Sequence, residues 1–281
     1  MNLSMEPAQI VVNGVVLHYL EQGRGAPVVF VHGSVNDYRA WALQMAPVAE
    51  HYRAITYSRR YHYPNVAPGP GDAYAAATQV EDLAALVREL GLGAAHLVGS
   101  SYGALVALVL AAQRPELVRT LVLGEPPLLP WLPAMPGGEA LLAGFMSTAL
   151  GPAGEAFARG EAERGVQAFI DGVLGAGAFA HLPSPVRADM LDNVDEMRLE
   201  TVTPATAYFP AFTEEDARGV ERPTLLVSGE LSPALFGRIT DTLERCLPQA
   251  ERVTIPAASH AIHAGNPPAY NHAVLSFLAR Q

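Results

Sequence analysis

Apolar residues in this chain follow two rhythms. Short runs dense in Val, Ile and Leu recur at 9–12, 15–20, 28–31, 54–57, 96–98, 120–123, 224–227 and 252–255. Runs of that length bounded by Gly, Pro or Asn have strand character. Asn13-Gly14, between the first two, is a hairpin turn signal, because these residues accept positive φ at both central positions. From the third run onward, longer segments with helical spacing intervene. Residues 78–90 place Val80, Leu83, Ala84, Val87 and Leu90 on one face, and Gly91 ends the segment. Residues 102–114 are apolar nearly all round, as a buried helix is. Segments 233–247 and 268–279 each open near a Pro. An opening hairpin followed by strand–helix alternation predicts an α/β fold, with a mostly parallel sheet covered on both faces.

Between Glu125 and Arg222 this rhythm stops. Pro126, Pro127, Pro130, Pro133 and Pro136 make a stiff, irregular exit, since Pro fixes φ and lacks an N–H. Helix-like stretches follow at 139–150, 155–174 and 185–199. The last has Ser184 as its expected N-cap and Val186, Met190, Val194 and Met197 on one face. Glu221-Arg222-Pro223 marks the return to the sheet. The reading is a core of residues 1–125 and 221–281, with residues 126–220 as a helical cap over the strand ends.

Composition narrows the partners. The 281 residues are 50% hydrophobic and 16% charged, enough for one large core plus a subdomain. The formal net charge is −10, Lys plus Arg number 18, and no basic run exists. Nucleic acid and an anionic membrane surface are therefore not expected partners. Cys246 is the one cysteine, so an intrachain disulfide is impossible, and it is expected to be packed on a helix face. Met1-Asn2-Leu3-Ser4-Met5-Glu6-Pro7 has no basic or apolar signal region, so a cytoplasmic location is expected. The apolar stretch after Ser101 is cut by Gln113-Arg114-Pro115, too short to span a bilayer.

Candidate chemistry begins at Gly99-Ser100-Ser101-Tyr102-Gly103, a G-x-S-x-G pattern. An apolar strand-like run leads in and a helical run leads out, the context of a nucleophile elbow. A tight turn leaves no room for side chains flanking the serine, and it aims a helix N-terminus at the reacting centre. Two further stretches sit at fitting places. Val28-Val29-Phe30-Val31 ends in His32-Gly33-Ser34, a turn able to offer a backbone N–H to an oxyanion. Val253-Thr254-Ile255 runs into a small-residue loop carrying His260, a candidate base for Ser101.

These motifs, with serine preceding histidine, identify a resemblance to the α/β-hydrolase fold superfamily. It covers nearly all of the chain except the middle stretch, which such proteins use as a variable cap. The resemblance implies an eight-stranded, mostly parallel sheet flanked by helices, with the cap inserted after the sixth strand. It implies Ser101 as nucleophile, His260 as base, and the N–H groups of Ser34 and Tyr102 as the oxyanion hole. Family members usually carry their acid after the seventh strand in a Gly-x-x-Asp pattern. Here that stretch reads Gly229-Glu230-Leu231-Ser232, and serine cannot supply the charge. Glu125, just past the sixth strand, can reach the same histidine from the neighbouring strand end, as in some haloalkane dehalogenases and zearalenone-type lactone hydrolases. Glu230 is the alternative acid. A second departure is Ser58-Arg59-Arg60-Tyr61, where many relatives have Asp-x-Arg-Gly. Arg60 is expected to bond backbone carbonyls or Asp37.

The chemistry expected is hydrolysis of a carboxylic ester or lactone through an acyl-enzyme, with no metal or cofactor. Epoxide hydrolase and dehalogenase chemistry both need a carboxylate nucleophile at the elbow, and this chain has serine. A carbon–carbon hydrolase or cofactor-free perhydrolase would use the same residues, and a ligand-binding receptor with little turnover is the reading from another class. His32, Trp41, His62 and Trp131 are the expected substrate-binding side chains, His32 chiefly organising its loop. The aromatic residues of the cap point to a mainly apolar small-molecule substrate.

Overall fold

Eight strands form one sheet in the order β1-β2-β4-β3-β5-β6-β7-β8. They are β1 (Ala8–Val12), β2 (Val15–Gln22), β3 (Pro27–Val31), β4 (Arg53–Tyr57), β5 (Ala95–Ser100), β6 (Val118–Gly124), β7 (Thr224–Gly229) and β8 (Ala250–Ile255). The computed structural model describes residues 6–69, 71–72 and 74–281. Met1 to Met5, most of the stretch read for a signal region, lie outside the described residues. β1 and β2 form the expected hairpin, with Asn13 at φ 46° and Gly14 at φ 78°. β2 also runs antiparallel to β4, and β3 to β8 pair in parallel. This is the α/β-hydrolase architecture anticipated from the motifs.

Helices α1 (Ala42–Ala49), α2 (Ala76–Glu89), α3 (Tyr102–Gln113), α12 (Ala234–Cys246), α13 (Ile262–Gly265) and α14 (Pro267–Leu278) flank the sheet. In α3 every residue from Tyr102 to Ala111 is buried, which explains its apolar pattern all round. On one face Leu83, Leu105 and Leu108 join the larger core. On the other, Phe30, Trp41, Met45, Tyr270 and Phe277 pack beneath α1 and α14. Cys246 is buried, as expected. Among the described residues no helix is long and apolar enough to cross a membrane.

Between β6 and β7 the chain forms only helical elements: α4 (Gly138–Phe145), α5 (Gly151–Ala158), α6 (Ala162–Leu174), α7 (Ala178–His181), α8 (Ser184–Leu191), α9 (Val194–Val202), α10 (Ala205–Tyr208) and α11 (Glu214–Arg218), plus short single turns. Three expectations need correction here. Segment 185–199 is two helices, α8 and α9, because Asn193 diverts hydrogen bonds at the junction. Its Oδ1 accepts from Tyr63 N–H at 2.9 Å, and its Nδ2 donates to Asp37 Oδ2 at 2.8 Å and to the Asp189 carbonyl at 2.9 Å. Ser184 is the first residue of α8 rather than its cap, with Pro183 ahead of it. Segment 155–174 likewise breaks into α5 and α6 around Gly160, which sits at φ 74°.

Candidate functional site

Ser101 stands at the end of β5, where the chain reverses into α3. Its φ of 52° lies in the left-handed region, which costs a residue with a Cβ about 1–3 kcal/mol. The flanking glycines make the bend feasible. A Cβ at Gly103 would come within 2.1 Å of the Val31 carbonyl oxygen, and one at Gly99 within 2.5 Å of the Ala104 Cα. The Ser101 N–H donates to the Gly124 carbonyl at 2.7 Å, fixing the bend to the end of β6.

The same strand end delivers Glu125, itself at φ 47°. Its Oε2 lies 2.7 Å from His260 Nδ1, and its Oε1 accepts from the Gly229 N–H at 2.9 Å. His260 Nε2 lies 2.9 Å from Ser101 Oγ. A carboxylate partner at Nδ1 places that nitrogen's proton toward Glu125 and leaves Nε2 to accept from the serine hydroxyl. The structure thus brings Ser101, His260 and Glu125 into one hydrogen-bonded line. Phe236 of α12 stacks on the imidazole with centroids 3.7 Å apart, a contact the sequence did not announce. Glu230 is elsewhere: its Oε2 accepts from the Ala257 N–H at 2.8 Å, anchoring the loop before His260. Ser232 Oγ is buried without a hydrogen-bond partner, packed over Gly229.

The turn at His32-Gly33-Ser34 lies against the serine. A Cβ at Gly33 would sit 3.1 Å from Ser101 Cβ. Tyr102 opens α3, so its N–H has no intrahelical acceptor. Val35 follows Ser34 at φ 57°, an outlier for a β-branched residue. Arg59, fully buried, braces this loop by donating to the carbonyls of His32 at 2.9 Å and Gly33 at 3.0 Å, and to the Tyr74 hydroxyl. The role assigned to Arg60 therefore belongs to its neighbour. Arg60 instead pairs with Asp82 at 2.6 and 2.8 Å, and Arg39 holds Asp37.

Two carboxyls of α9 reach the same loop, and sequence reasoning missed both. Ser34 Oγ donates to Glu200 Oε1 at 2.9 Å, and Tyr208 OH donates to Glu200 Oε2 at 3.0 Å. The Val35 N–H donates to Glu196 Oε2 at 3.3 Å, and His62 Nε2 lies 3.3 Å from Glu196 Oε1. Burial above all, then the charge of Glu200 and a hydrogen bond with it, pushes the Glu196 carboxyl well above the usual range. Arg59 and the Val35 N–H pull the other way. Burial first and the Arg59 charge second hold His32 and His62 well below the usual imidazole value, so both rings are neutral. A spacing of i, i+4 on a helix was the available signal, but an acidic pair of that kind reads first as a solvated face.

None of the four expected substrate-binding side chains lines the space beside Ser101. His32 is buried, bonded by Nδ1 to the Gly33 carbonyl at 2.8 Å and by Nε2 to the Arg59 N–H at 2.9 Å. These bonds organise the loop. His62 bonds the Asn36 carbonyl at 2.6 Å and the Tyr74 hydroxyl at 3.1 Å. Trp41 turns back into the core, stacked on His263 at 4.4 Å. Trp131 Nε1 donates to the Phe212 carbonyl at 2.7 Å inside the cap. The walls are instead aliphatic and aromatic residues of the cap. Together with core residues such as Asn36, Arg39 and Leu43, they border a cavity of about 440 Å³ next to Ser101, and a second space of about 30 Å³ also reaches the serine. Among the described residues no three His, Cys, Asp or Glu side chains are grouped to hold a metal ion.

A serine at a strained strand–helix bend, with a histidine and a carboxylate in line behind it on a parallel sheet, is the arrangement of the α/β-hydrolase class, and the chain has that fold. A family model described as the alpha/beta hydrolase fold matches residues 26–160. A 2-(acetamidomethylene)succinate hydrolase of Mesorhizobium japonicum is 26% identical, over 94% of this chain and 92% of that one. Among solved structures, an esterase from Thermogutta terrifontis superposes with a TM-score of 0.77 at 22% identity, covering 98% of this chain and 99% of the other. An enol-lactonase from Burkholderia xenovorans gives 0.72 at 21% identity, covering 97% and 100%. These structures share the fold.

Proposed function

We propose that this protein is a serine hydrolase that cleaves a carboxylic ester or lactone through an acyl-enzyme. The observation that carries the reading is the line Glu125 Oε2, 2.7 Å, His260 Nδ1 and His260 Nε2, 2.9 Å, Ser101 Oγ. His260 takes the hydroxyl proton as Ser101 attacks the carbonyl carbon. The N–H groups of Ser34 and Tyr102 bind the oxyanion. His260 returns its proton to the leaving alcohol, and a water, deprotonated by the same ring, releases the acid. Glu125 holds the ring in the required tautomer and stabilises its charged form.

The name of the Mesorhizobium relative raises a dicarboxylate substrate as the competing reading. The lining of the larger cavity does not favour it. Its guanidinium, that of Arg39, is already engaged by Asp37 at 2.6 Å, Asp189 at 2.7 Å and Asp192 at 2.9 Å. Asp37 and Asp189 line the cavity with it, so one negative charge remains in excess among the lining residues, which disfavours a dianion.

A fluorophosphonate probe tests the reading. Rapid labelling of the wild type, absent in Ser101→Ala, together with hydrolysis of simple esters, is the expected result. A folded wild type that neither labels nor hydrolyses any ester would be a receptor, and the proposal would fall.

A further inference from the structure

Ser101 borders two unequal spaces. One, of about 30 Å³, is walled by Leu129, Phe145, Leu150, Tyr208, Phe209 and Phe236. The other, of about 440 Å³, is walled by Leu174, Leu182, Val186 and Met190 together with Asn36 and Arg39. Ser34, Ser101, Phe169 and Val173 border both, so α6 forms a partition. His260 borders only the larger one.

That asymmetry orients a substrate. When the tetrahedral intermediate collapses, the bond from carbon to the alcohol oxygen breaks, and that oxygen takes the proton carried on His260 Nε2. The departing oxygen must therefore lie on the His260 side, in the larger space. The carbonyl oxygen points at the N–H groups of Ser34 and Tyr102. The acyl chain is left with the smaller space. A site needs about 10–15 Å³ to hold one water, so this one admits about two or three non-hydrogen atoms beyond the carbonyl.

Resting on the acyl-enzyme reading above, we propose that the protein selects acyclic esters that join a short apolar acyl group, acetyl to butanoyl, to a bulky alcohol without negative charge. The alcohol is non-anionic because three carboxylates, two of them lining the chamber, already engage its one guanidinium. The ester is acyclic because two chambers that share Ser101 and are divided by α6 suit an extended ester. A small lactone ties its acyl and alkoxy arms together on one side. In the step itself the Ser101 Oγ–carbon bond forms as the carbon–alkoxy bond breaks. The serine proton passes through His260 to the alcohol, and water then completes the reverse sequence, releasing the short acid.

The test is a chain-length series on one alcohol: 2-naphthyl acetate, butanoate and octanoate, with ethyl octanoate and δ-valerolactone as comparisons. Forcing extra methylenes into a filled space costs about 1–3 kcal/mol, so kcat/KM should drop at least about tenfold from butanoate to octanoate. Ethyl octanoate and the lactone should be poorer than 2-naphthyl butanoate. Phe209→Ala and Leu150→Ala should each raise the octanoate-to-butanoate ratio. Octanoate equal to or better than butanoate in the wild type overturns the proposal, as does a ratio unmoved in both variants. If Ser101 is labelled by fluorophosphonate but the chain preference is reversed, or none of these esters turns over, the chamber assignment fails alone. If Ser101 is not labelled and nothing turns over, the acyl-enzyme reading fails with it.

Discussion

Glu125 and Glu196 are carboxyls buried equally well, at 1% and 0% exposure, in regions that handle burial in opposite ways. Glu125 sits where three strand ends meet, and donors surround it: the His260 ring N–H and the Gly229 N–H. Glu196 sits where the cap meets the Ser34 loop. It faces a second carboxyl, Glu200, and a neutral ring, His62, with Arg59 the compensating charge. At the sheet, burial is met by hydrogen bonds to the acid. At the cap, it is met by keeping a proton on it. The first arrangement suits a group that must stabilise positive charge on a neighbour. The second suits a clamp between two elements whose strength follows pH.

The comparison breaks most sharply at Glu125. Glu125→Gln removes the charge opposite His260 and offers an amide N–H where an acceptor is needed, so kcat should fall about 10²–10⁴-fold. Glu230→Gln keeps an oxygen able to accept from Ala257 and should change kcat less than about threefold. Steady-state kinetics on the two purified variants decides it. Equal, mild losses would move the acid away from Glu125.

The cap side should respond through the loop it holds. Glu200→Ala deletes the acceptor for Ser34 Oγ and Tyr208 OH, loosening a loop whose N–H is a proposed oxyanion donor. Losing one such donor outright costs about 10²–10³ in kcat, so partial loosening should cost about tenfold, mainly in kcat rather than KM. Glu200→Gln retains an oxygen for Ser34 and should recover most of the loss. A purely structural role would lower stability in both variants and leave the kcat of the folded enzyme unmoved.

Stability against pH tests the Glu196 side of the comparison. Burial holds His96 and His263 near about 4, with His32 and His62 also well below their usual value. An unfolded chain binds protons that these rings refuse, so stability rises with pH up to about 6.5. Glu196 works the other way. Its raised value means the folded chain keeps a proton that the unfolded chain loses above 4.5, so its contribution fades as pH rises. Below about 6.5 the four rings oppose the raised carboxyls, and above it Glu196 is left with Asp189, which burial also raises and which acts in the same sense. Tyr74, Tyr102 and Tyr208, which share its surroundings, are themselves pushed up by burial and stay protonated there. Urea unfolding should therefore show the wild type losing stability faster than Glu196→Gln as pH rises above about 6.5, by at most about 1.4 kcal/mol per pH unit. Glu196→Gln should flatten that limb, and an unchanged slope would reject the clamp.

The two regions also differ in how openly the chain declares them. The strand runs, Asn13-Gly14 and the bend at Ser101 are local: each rests on residues within a few positions, and all eight strands appear where the pattern put them. The place of Glu125 beside His260 was legible because Ser232 left the usual acid position without a charge. Cap contacts are long-range. Nothing near Asn193 reports that its side chain meets Asp37, far away in sequence, and so the apolar spacing of 185–199 reads straight through the break. Arg60 drew notice by its register, but the guanidinium bracing the loop is that of Arg59, one residue earlier on the opposite side of the chain. Glu196 and Glu200 look like an ordinary polar face until the Ser34 loop is placed against them.

Trp131 gives the smallest effect and the cleanest discrimination between a wall of the site and a strut of the cap. As a large aromatic just after the sixth strand it invites a place against substrate. Its indole N–H instead donates to the Phe212 carbonyl at 2.7 Å, and the two rings lie nearly parallel, 8° apart, with centroids 6.3 Å apart. That contact ties the entrance of the cap segment to its exit. Trp131→Phe keeps an aromatic ring but removes the donor, leaving a buried carbonyl without its partner, at a cost of about 1–3 kcal/mol. The melting temperature should fall by a few degrees. The kcat and KM for a short naphthyl ester should stay within about twofold, because Trp131 borders neither space beside Ser101. A raised KM at unchanged melting temperature would put the indole back against the substrate and the cap's internal tie elsewhere.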